Sequence, residues 1–355
     1  MERLYDKLKA YSESDFYAFH MPGHKRNKAL LGIELPYDLD ITEIDGFDDL
    51  HHADGILKEE QERAARVFGA EESHFLVNGS TAGILSAVMG CTHRGDKILV
   101  ARHCHKSIYH AIYMNGLVPR YVYPEFDISM HMNGEISKED VAKALAAEPD
   151  IKAVVIVSPN YDGVVSDVKG IAEVVHSYGI PLIVDEAHGP HFGFHPAFPE
   201  CANDLGADVV INSLHKTLPS LTQTAILHIN GKLANRRRIK KYLDMLQSSS
   251  PSYIFMASLD ACVDFLDGKC EEAFELYVER LQKFREELEL LQHLQILRTE
   301  HYDISKVVIS TANANITSPE LADRLRKEYH LEMEMTGGTY VLAMTTVADT
   351  QEGLD

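Results

Sequence analysis

Tryptophan is absent from the 355 residues, and basic side chains are scarce: 34 Lys and Arg stand against 54 Asp and Glu, a formal net charge of −20. So acidic a chain argues against a nucleic-acid partner, because binding a phosphate backbone relies on a basic face that releases counterions. The five cysteines (Cys91, Cys104, Cys201, Cys262, Cys270) are odd in number and show no CxxC spacing, which suggests neither a disulfide framework nor a thiolate zinc site. No run approaches the ~20 apolar residues of a membrane span. The opening MERLYDKLKAYSESDF is too charged for a signal peptide, so a cytoplasmic location is the default expectation. There is no internal repeat, low-complexity tract or Gly/Ser-rich linker. What remains, 45% hydrophobic and 25% charged, is the composition of an ordinary soluble globular protein, long enough for two or three domains.

Residues 1–60 are irregular and rich in Gly, Pro, His and Asp (FHMPGHKRN, EIDGFDDLHHADG), which predicts an N-terminal arm laid on another surface. Asp54 is placed to cap the helix that follows, GILKEEQERAARVFGA. From residue 74 short apolar runs alternate with amphipathic segments. HFLV, DKILVA, VPRYVY, IKAVVIVS, IPLIVD, ADVVINS and QTAILHI read as seven strands, and pieces such as STAGILSAVMGC and DVKGIAEVVHSYG read as helices between them. Val/Ile-rich strands separated by helices imply a largely parallel sheet covered on both faces, an α/β major domain expected over 61–295. A smaller α+β domain is expected over 296–355, from the strands LQILR and KVVIS, the helix PELADRLRKEYH and the strands LEMEM and TYVLAMTTV. Asp349 and Glu352 have capping-box spacing, so the chain is expected to stop as a helix opens, with the small domain incomplete.

In open α/β sheets ligands bind beyond the carboxyl ends of the strands. Three predicted strand ends carry suitable chemistry: NGSTAG, with the Ser80 and Thr81 hydroxyls at a helix start; DEAH, beginning at Asp185; and SLHK, ending at Lys216. A lysine, a carboxylate and an anion cradle at neighbouring strand ends suit pyridoxal phosphate. That chemistry needs an amine for an imine, an anionic partner for the ring nitrogen and groups that bind a phosphate. Lys216 follows Asp185 by about one β–α–β step, and His105 opens the helix after DKILVA, where it is able to lie against a cofactor ring.

With these residues FHMPGHK, DDLHHADGILKEEQ, VNGSTAG, HCHKS, VDEAHG and SLHKTLPSLTQ stand in order along the chain, and together they resemble the Orn/Lys/Arg decarboxylase family of fold-type-I pyridoxal-phosphate enzymes, in its shorter arginine/lysine decarboxylase-like branch. The resemblance implies a three-layer α/β/α domain with a mostly parallel seven-stranded sheet. It assigns Lys216 to the imine, Asp185 to the pyridinium nitrogen, His105 to the ring face, and Ser80, Thr81, Ser213 and His215 to the phosphate side. His188 is a secondary contact, because some members of the family carry Trp there. The implied reaction is decarboxylation of lysine, arginine or ornithine to the corresponding amine and CO₂. A homodimer or larger assembly is implied as well, with the DDLHH region of the arm near an active site.

Plainer readings stand beside these. Lys216 alone is a solvated lysine, Asp185 a turn cap and NGSTAG an ordinary strand-to-helix turn. His188, His191 and His195 beside Asp185 and Glu186 invite a metal site, yet no Cys joins them and no metal is expected. His103 and His110 read as packed or solvated, and RRRIKK as a solvated helix face. Glu334 is a candidate acceptor for the distal amine of a dibasic substrate, or simply a charge on an exposed strand. Aminotransfer or another lyase reaction on the same fold is the main alternative, disfavoured by the lack of any Lys or Arg after Lys327. A truncated, catalytically silent relative that binds the cofactor is the other.

Overall fold

The computed structural model describes residues 2–128, 131–297 and 299–354. The chain enters through helix α1 (Leu4–Ser12) and, after an irregular stretch, α2 (Ile56–Val67). Strands β1 (Glu72–Leu76), β2 (Lys97–Ala101) and β3 (Val118–Val122) follow, then the hairpin β4 (Phe126–Asp127) and β5 (Met132–Asn133), then β6 (Val154–Val157), β7 (Leu182–Asp185), β8 (Val209–Asn212) and β9 (Ala225–Ile229). Without the hairpin these form one seven-stranded sheet in the order β1-β9-β8-β7-β6-β2-β3. Only β9 runs against its neighbours.

Alternation along the buried strands explains the layers. Val155, Ile183, Val209 and Ile211 face one side, where they pack with Ile84 and Val88 of α3 (Gly79–Cys91) and Ile108 of α4 (Lys106–Asn115). Val154, Ile156, Leu182, Val184 and Val210 face the other, against Val141 and Leu145 of α5 (Lys138–Ala147) and Ile171 and Val175 of α6 (Val168–Ser177). A sheet buried on both faces needs apolar residues at every position, hence the unbroken Val/Ile runs. Each such side chain contributes about 1.5–3 kcal/mol on burial.

After the one-turn α7 (Leu214–Thr217), helix α8 (Arg236–Leu246) lies so close to α3 that a Cβ on Gly90 would stand 2.8 Å from the Cα of Ile239. The basic run on α8 is therefore more than a solvated face. Arg238 donates from Nη2 to the carbonyls of Met89 (3.1 Å) and Thr92 (2.6 Å), satisfying acceptors at the end of α3, and Arg236 pairs with Glu71 and Glu72. Helices α9 (Tyr253–Leu266) and α10 (Glu271–Leu288) bury Tyr253, Leu259, Phe274 and Tyr277 in a cluster shared with Leu4 and Leu8, so the arm is anchored by a helix at its start.

A second, antiparallel sheet has the order β10-β11-β13-β12, formed by β10 (Gln295–Ile296), β11 (Lys306–Ser310), β12 (Met335–Thr336) and β13 (Tyr340–Met344). Helix α11 (Ser318–Glu328), opened by a Thr317/Glu320 capping box, and α12 (Gln351–Leu354) complete it. Of LEMEM only Met335 lies in a strand, because pairing with β13 begins at Met335 opposite Leu342. Two expected caps differ. Asp48, not Asp54, serves the start of α2: its carboxylate accepts from the N–H groups of Asp54 (3.1 Å), Gly55 (2.9 Å) and Leu57 (3.0 Å). Near the C-terminus the Asp349 carboxylate turns back to the N–H of Thr346, and the Thr350 hydroxyl accepts from Gly353 instead. No helix among the described residues is long and apolar enough to cross a membrane.

Candidate active site

At the carboxyl end of β1 the chain turns through Gly79, at φ +71, a left-handed conformation that suits glycine. The turn is pinned by Gln223, which donates to the Val77 carbonyl (2.6 Å), and by Gln247, which accepts from the Val77 N–H (2.8 Å). Ser80 and Thr81 thereby stand in the first turn of α3. After β8, Ser213 precedes α7, which carries His215 and Lys216. The Ser80 and Ser213 hydroxyl oxygens are 2.5 Å apart. His215 Nδ1 lies 2.9 Å from the Thr224 carbonyl, which only accepts, so Nδ1 carries the proton and Nε2 is left free.

After β2, His105 caps α4, its Nδ1 accepting from the Ser107 N–H (3.3 Å). Asp185 ends β7, buried, with one oxygen accepting from the Ala187 N–H (3.2 Å). His188 Nε2 stands 2.9 Å from Lys216 Nζ. Ser80, Thr81, His105, Asp185, His188, Ser213, His215 and Lys216 all line a single cavity of about 330 Å³, within the range usual for small-ligand clefts. Five strand ends converge there, as the rule for open α/β sheets requires.

The electrostatics follow from burial. Desolvation lowers the affinity of Lys216 for its proton, with Asp185 and Glu334 opposing the shift. The same effect pushes the Asp185 carboxyl up, with Lys216 pulling it back down. Burial and the neighbouring Lys306 and Lys216 cations hold His188 well below the usual imidazole range. Burial, then Lys216, lowers His105. A lysine that releases its proton readily is a better nucleophile.

Other residues join the site without having been singled out for it. His103, read above as packed or solvated, lines the cavity, and its Nδ1 is buried with no hydrogen-bond partner. Tyr161, from the loop after β6, also lines it, with its ring 4.8 Å from that of His188. The Tyr161 hydroxyl donates to Glu334, which brings that carboxylate to the edge of the site. Both His103 and Tyr161 follow strand ends, so the rule that found Asp185 points to them as well. Lys306 is different: fully buried at the start of β11, it reaches His188 Nδ1 at 3.2 Å, and nothing in KVVIS marks it.

The histidines of HGPHFGFH go separate ways. His188 faces the cavity, His191 bridges Thr217 (2.9 Å) and Asp303 (3.1 Å), and His195 contacts Glu275 (3.0 Å). In DDLHH, Asp48 serves backbone N–H groups and His51 Nε2 donates to the Ser248 carbonyl (2.8 Å), so the motif pins the arm to its own chain.

The model of the Orn/Lys/Arg decarboxylase major domain matches residues 3–312. The uncharacterized protein YaaO of Bacillus subtilis is 42% identical over 275 residues, covering 76% of this chain and 57% of its own length. The arginine decarboxylase of Halalkalibacterium halodurans is 34% identical over 367 residues, covering 99% of this chain and 74% of that enzyme. Among solved structures, the Francisella novicida lysine decarboxylase LdcF superposes with a TM-score of 0.85 at 19% identity, over 99% of this chain and 58% of that one, which speaks to the fold alone. The chain thus spans somewhat over half the length of YaaO and LdcF, and about three quarters of the arginine decarboxylase. With nearly nine-tenths of its residues inside the family model and its strand-end residues gathered in one cavity, the chain belongs to the Orn/Lys/Arg decarboxylase family.

Proposed function

We propose that this chain binds pyridoxal phosphate in the cavity at the strand ends and decarboxylates a basic amino acid, releasing the corresponding amine and CO₂. The observation that carries this is the convergence of a buried carboxylate, a lysine and a set of hydroxyl, imidazole and helix N–H donors on one cavity.

The donor set suits the cofactor chemically. Ser80, Thr81, Ser213 and His215 sit together at one side of the cavity around the start of α3, where an anion is favoured, and they would hold the phosphate. Lys216 would supply the amine for the covalent link, and His105 would lie against the ring. When bound, the cofactor supplies a protonated pyridine ring that withdraws electrons from the Cα–carboxylate bond. Asp185 would keep the proton on the ring nitrogen: its own shift comes from desolvation, and a cation beside it stabilises the carboxylate form. His188 would contact ring substituents, and Lys216, once released, or a histidine would return a proton to Cα.

Relatives that align over almost the whole chain are named arginine decarboxylases, so arginine is the first substrate to try, with lysine and ornithine beside it. The test is direct: incubate the protein with pyridoxal phosphate and each amino acid, and measure CO₂ and amine. Release from one of the three is expected. Release from none, with the cofactor bound, overturns the activity.

We propose a homodimer as the working unit. The arm exposes Phe16, Tyr17, Phe19, Met21, Leu30 and Leu31, an apolar row suited to cover by a second copy, and sedimentation that finds only monomer would contradict this. All five cysteines are unpaired, which suits the cytoplasm.

A further inference from the structure

His191, Thr217 and Asp303 form a string of side chains that the proposed chemistry leaves unused. His191 Nδ1 stands 2.9 Å from the Thr217 hydroxyl and its Nε2 stands 3.1 Å from Asp303 Oδ1, and all three residues are buried. The rings of Phe192 and Phe198, with centroids 4.9 Å and 4.8 Å away, hold the imidazole edge-on, and both belong to the core. In so closely packed a setting the ring does not turn freely.

The hydrogen-bond directions follow from the carboxylate end. Asp303 Oδ1 also accepts from the Ser305 N–H (3.0 Å), so it is the acceptor and Nε2 carries the proton. In the neutral ring Nδ1 is then bare, and the Thr217 hydroxyl donates to it. Hydroxyl, imidazole and carboxylate in a row are the order of a nucleophile triad. Thr217, however, is buried and does not line the cavity, so its hydroxyl meets no substrate. The string holds rather than reacts.

What it holds is the lysine turn. Helix α7 has four residues, with the Lys216 N–H on the Ser213 carbonyl (3.2 Å) and the Leu218 N–H on the Leu214 carbonyl (2.9 Å). So short a helix does not stand by itself. Side chains fix it: Leu214 and Leu218 in the core, His215 on the Thr224 carbonyl, and Thr217 on His191. Thr217 adjoins Lys216 and is β-branched, so fixing its hydroxyl restrains the backbone from which the Lys216 side chain extends. At the far end Asp303 is anchored where the chain enters β11. Its N–H donates to the Gly163 carbonyl (2.9 Å), and its own carbonyl accepts from the Lys306 N–H (3.1 Å).

We propose that His191 is a positioning residue: through Thr217 it ties the turn that carries Lys216 to Asp303 at the entrance of the small sheet, and so holds the lysine amine where it meets pyridoxal phosphate. The part in cofactor capture rests on Lys216 being the cofactor lysine; the tie between the segments does not.

The test uses the full chain and two readouts. Amide hydrogen exchange of the peptide covering α7, followed by mass spectrometry without cofactor, reports the tie. The rate at which borohydride fixes pyridoxal phosphate on Lys216, sampled over time after mixing, reports the position of the amine. Thr217→Val keeps the branched shape and removes the hydroxyl. It should speed exchange in α7 about ten-fold and slow capture by a similar factor, the scale of one buried hydrogen bond, while peptides of β7 and β8 stay unchanged. Thr217→Ser keeps the hydroxyl and should leave both readouts near wild type. His191→Phe should reproduce the valine effects, and adding Thr217→Val to it should change little, since both cut one string. The comparison of valine with serine carries the test even if His191→Phe fails to fold. Equal effects of valine and serine, full additivity of His191→Phe with Thr217→Val, or normal capture in a valine variant whose exchange has risen overturns the proposal. Absence of capture on Lys216 in the wild type would instead remove the cofactor assignment, and the exchange rates would still decide the tie.

Discussion

The hydroxyl oxygens of Ser80 and Ser213 lie 2.5 Å apart although 133 positions separate them in the chain. One hydroxyl spends its proton on the other, and a phosphate between them would accept from both. Replacing either serine with alanine should weaken pyridoxal phosphate binding about ten- to a hundred-fold, in keeping with the ~1.5–3 kcal/mol of a hydrogen bond to a charged group. Absorbance titration of cofactor-free protein checks this, with pyridoxal, which lacks the phosphate, as the control. Equal losses for both ligands would place the serines elsewhere than at the phosphate.

Asp185→Asn keeps the shape of a buried side chain and removes its charge. Turnover should fall by about a hundred-fold or more, the scale of losing one preorganised electrostatic partner. Borohydride should still trap the cofactor on Lys216 in this variant, and should trap nothing at that position in Lys216→Ala. Undiminished turnover by Asp185→Asn would contradict the electron-sink role.

Away from the site, Arg63 of α2 joins three carboxylates. It contacts Glu60 at 2.5 Å, Asp264 at 3.1 Å and Asp260, and Asp260 also accepts from the Leu4 N–H (3.0 Å). Arg63 and its two nearest partners are buried, so Arg63→Met strands carboxylates without their cation. A loss of about 3–5 kcal/mol in urea unfolding is expected. A loss below ~1 kcal/mol would show that the carboxyls simply neutralise.

Glu60 gives the same cluster a pH dependence. Burial, reinforced by Asp260, pushes its carboxyl up from 4.5 to about 8. The folded chain therefore keeps a proton that the unfolded chain releases, and the stability this contributes is present below pH 4.5 and lost as pH rises through about 8. Glu60→Gln should flatten that decline between pH 5 and 9, which urea midpoints across this interval would reveal. An unchanged slope would assign the decline to other groups.

Local chemistry determined much of this protein. Apolar runs such as VVIV and LIVD fix β6 and β7 because a strand buried on both faces tolerates little else. The strand-end rule selected Asp185, Lys216 and the Ser80–Thr81 turn from sequence, and all line one cavity. Caps were less legible. Asp48 and Asp54 are the same residue type a few positions apart, and which carboxylate meets the start of α2 depends on the loop's path.

Only the tertiary structure decided what crosses between the two sheets. Lys306 opens a strand that reads like any other, and its meeting with His188, 118 positions earlier, follows from how the segment before β11 is tied to the loop after β6, where the Asp303 N–H donates to the Gly163 carbonyl (2.9 Å). The three histidines of HGPHFGFH look equivalent along the chain, yet one enters the cavity, one bridges Thr217 and Asp303, and one turns to Glu275. Sequence determined which groups the strand ends would offer, because hydrophobic periodicity is local. Long-range packing decided which distant side chains meet them, because hydrogen bonding requires atoms within about 3 Å of each other.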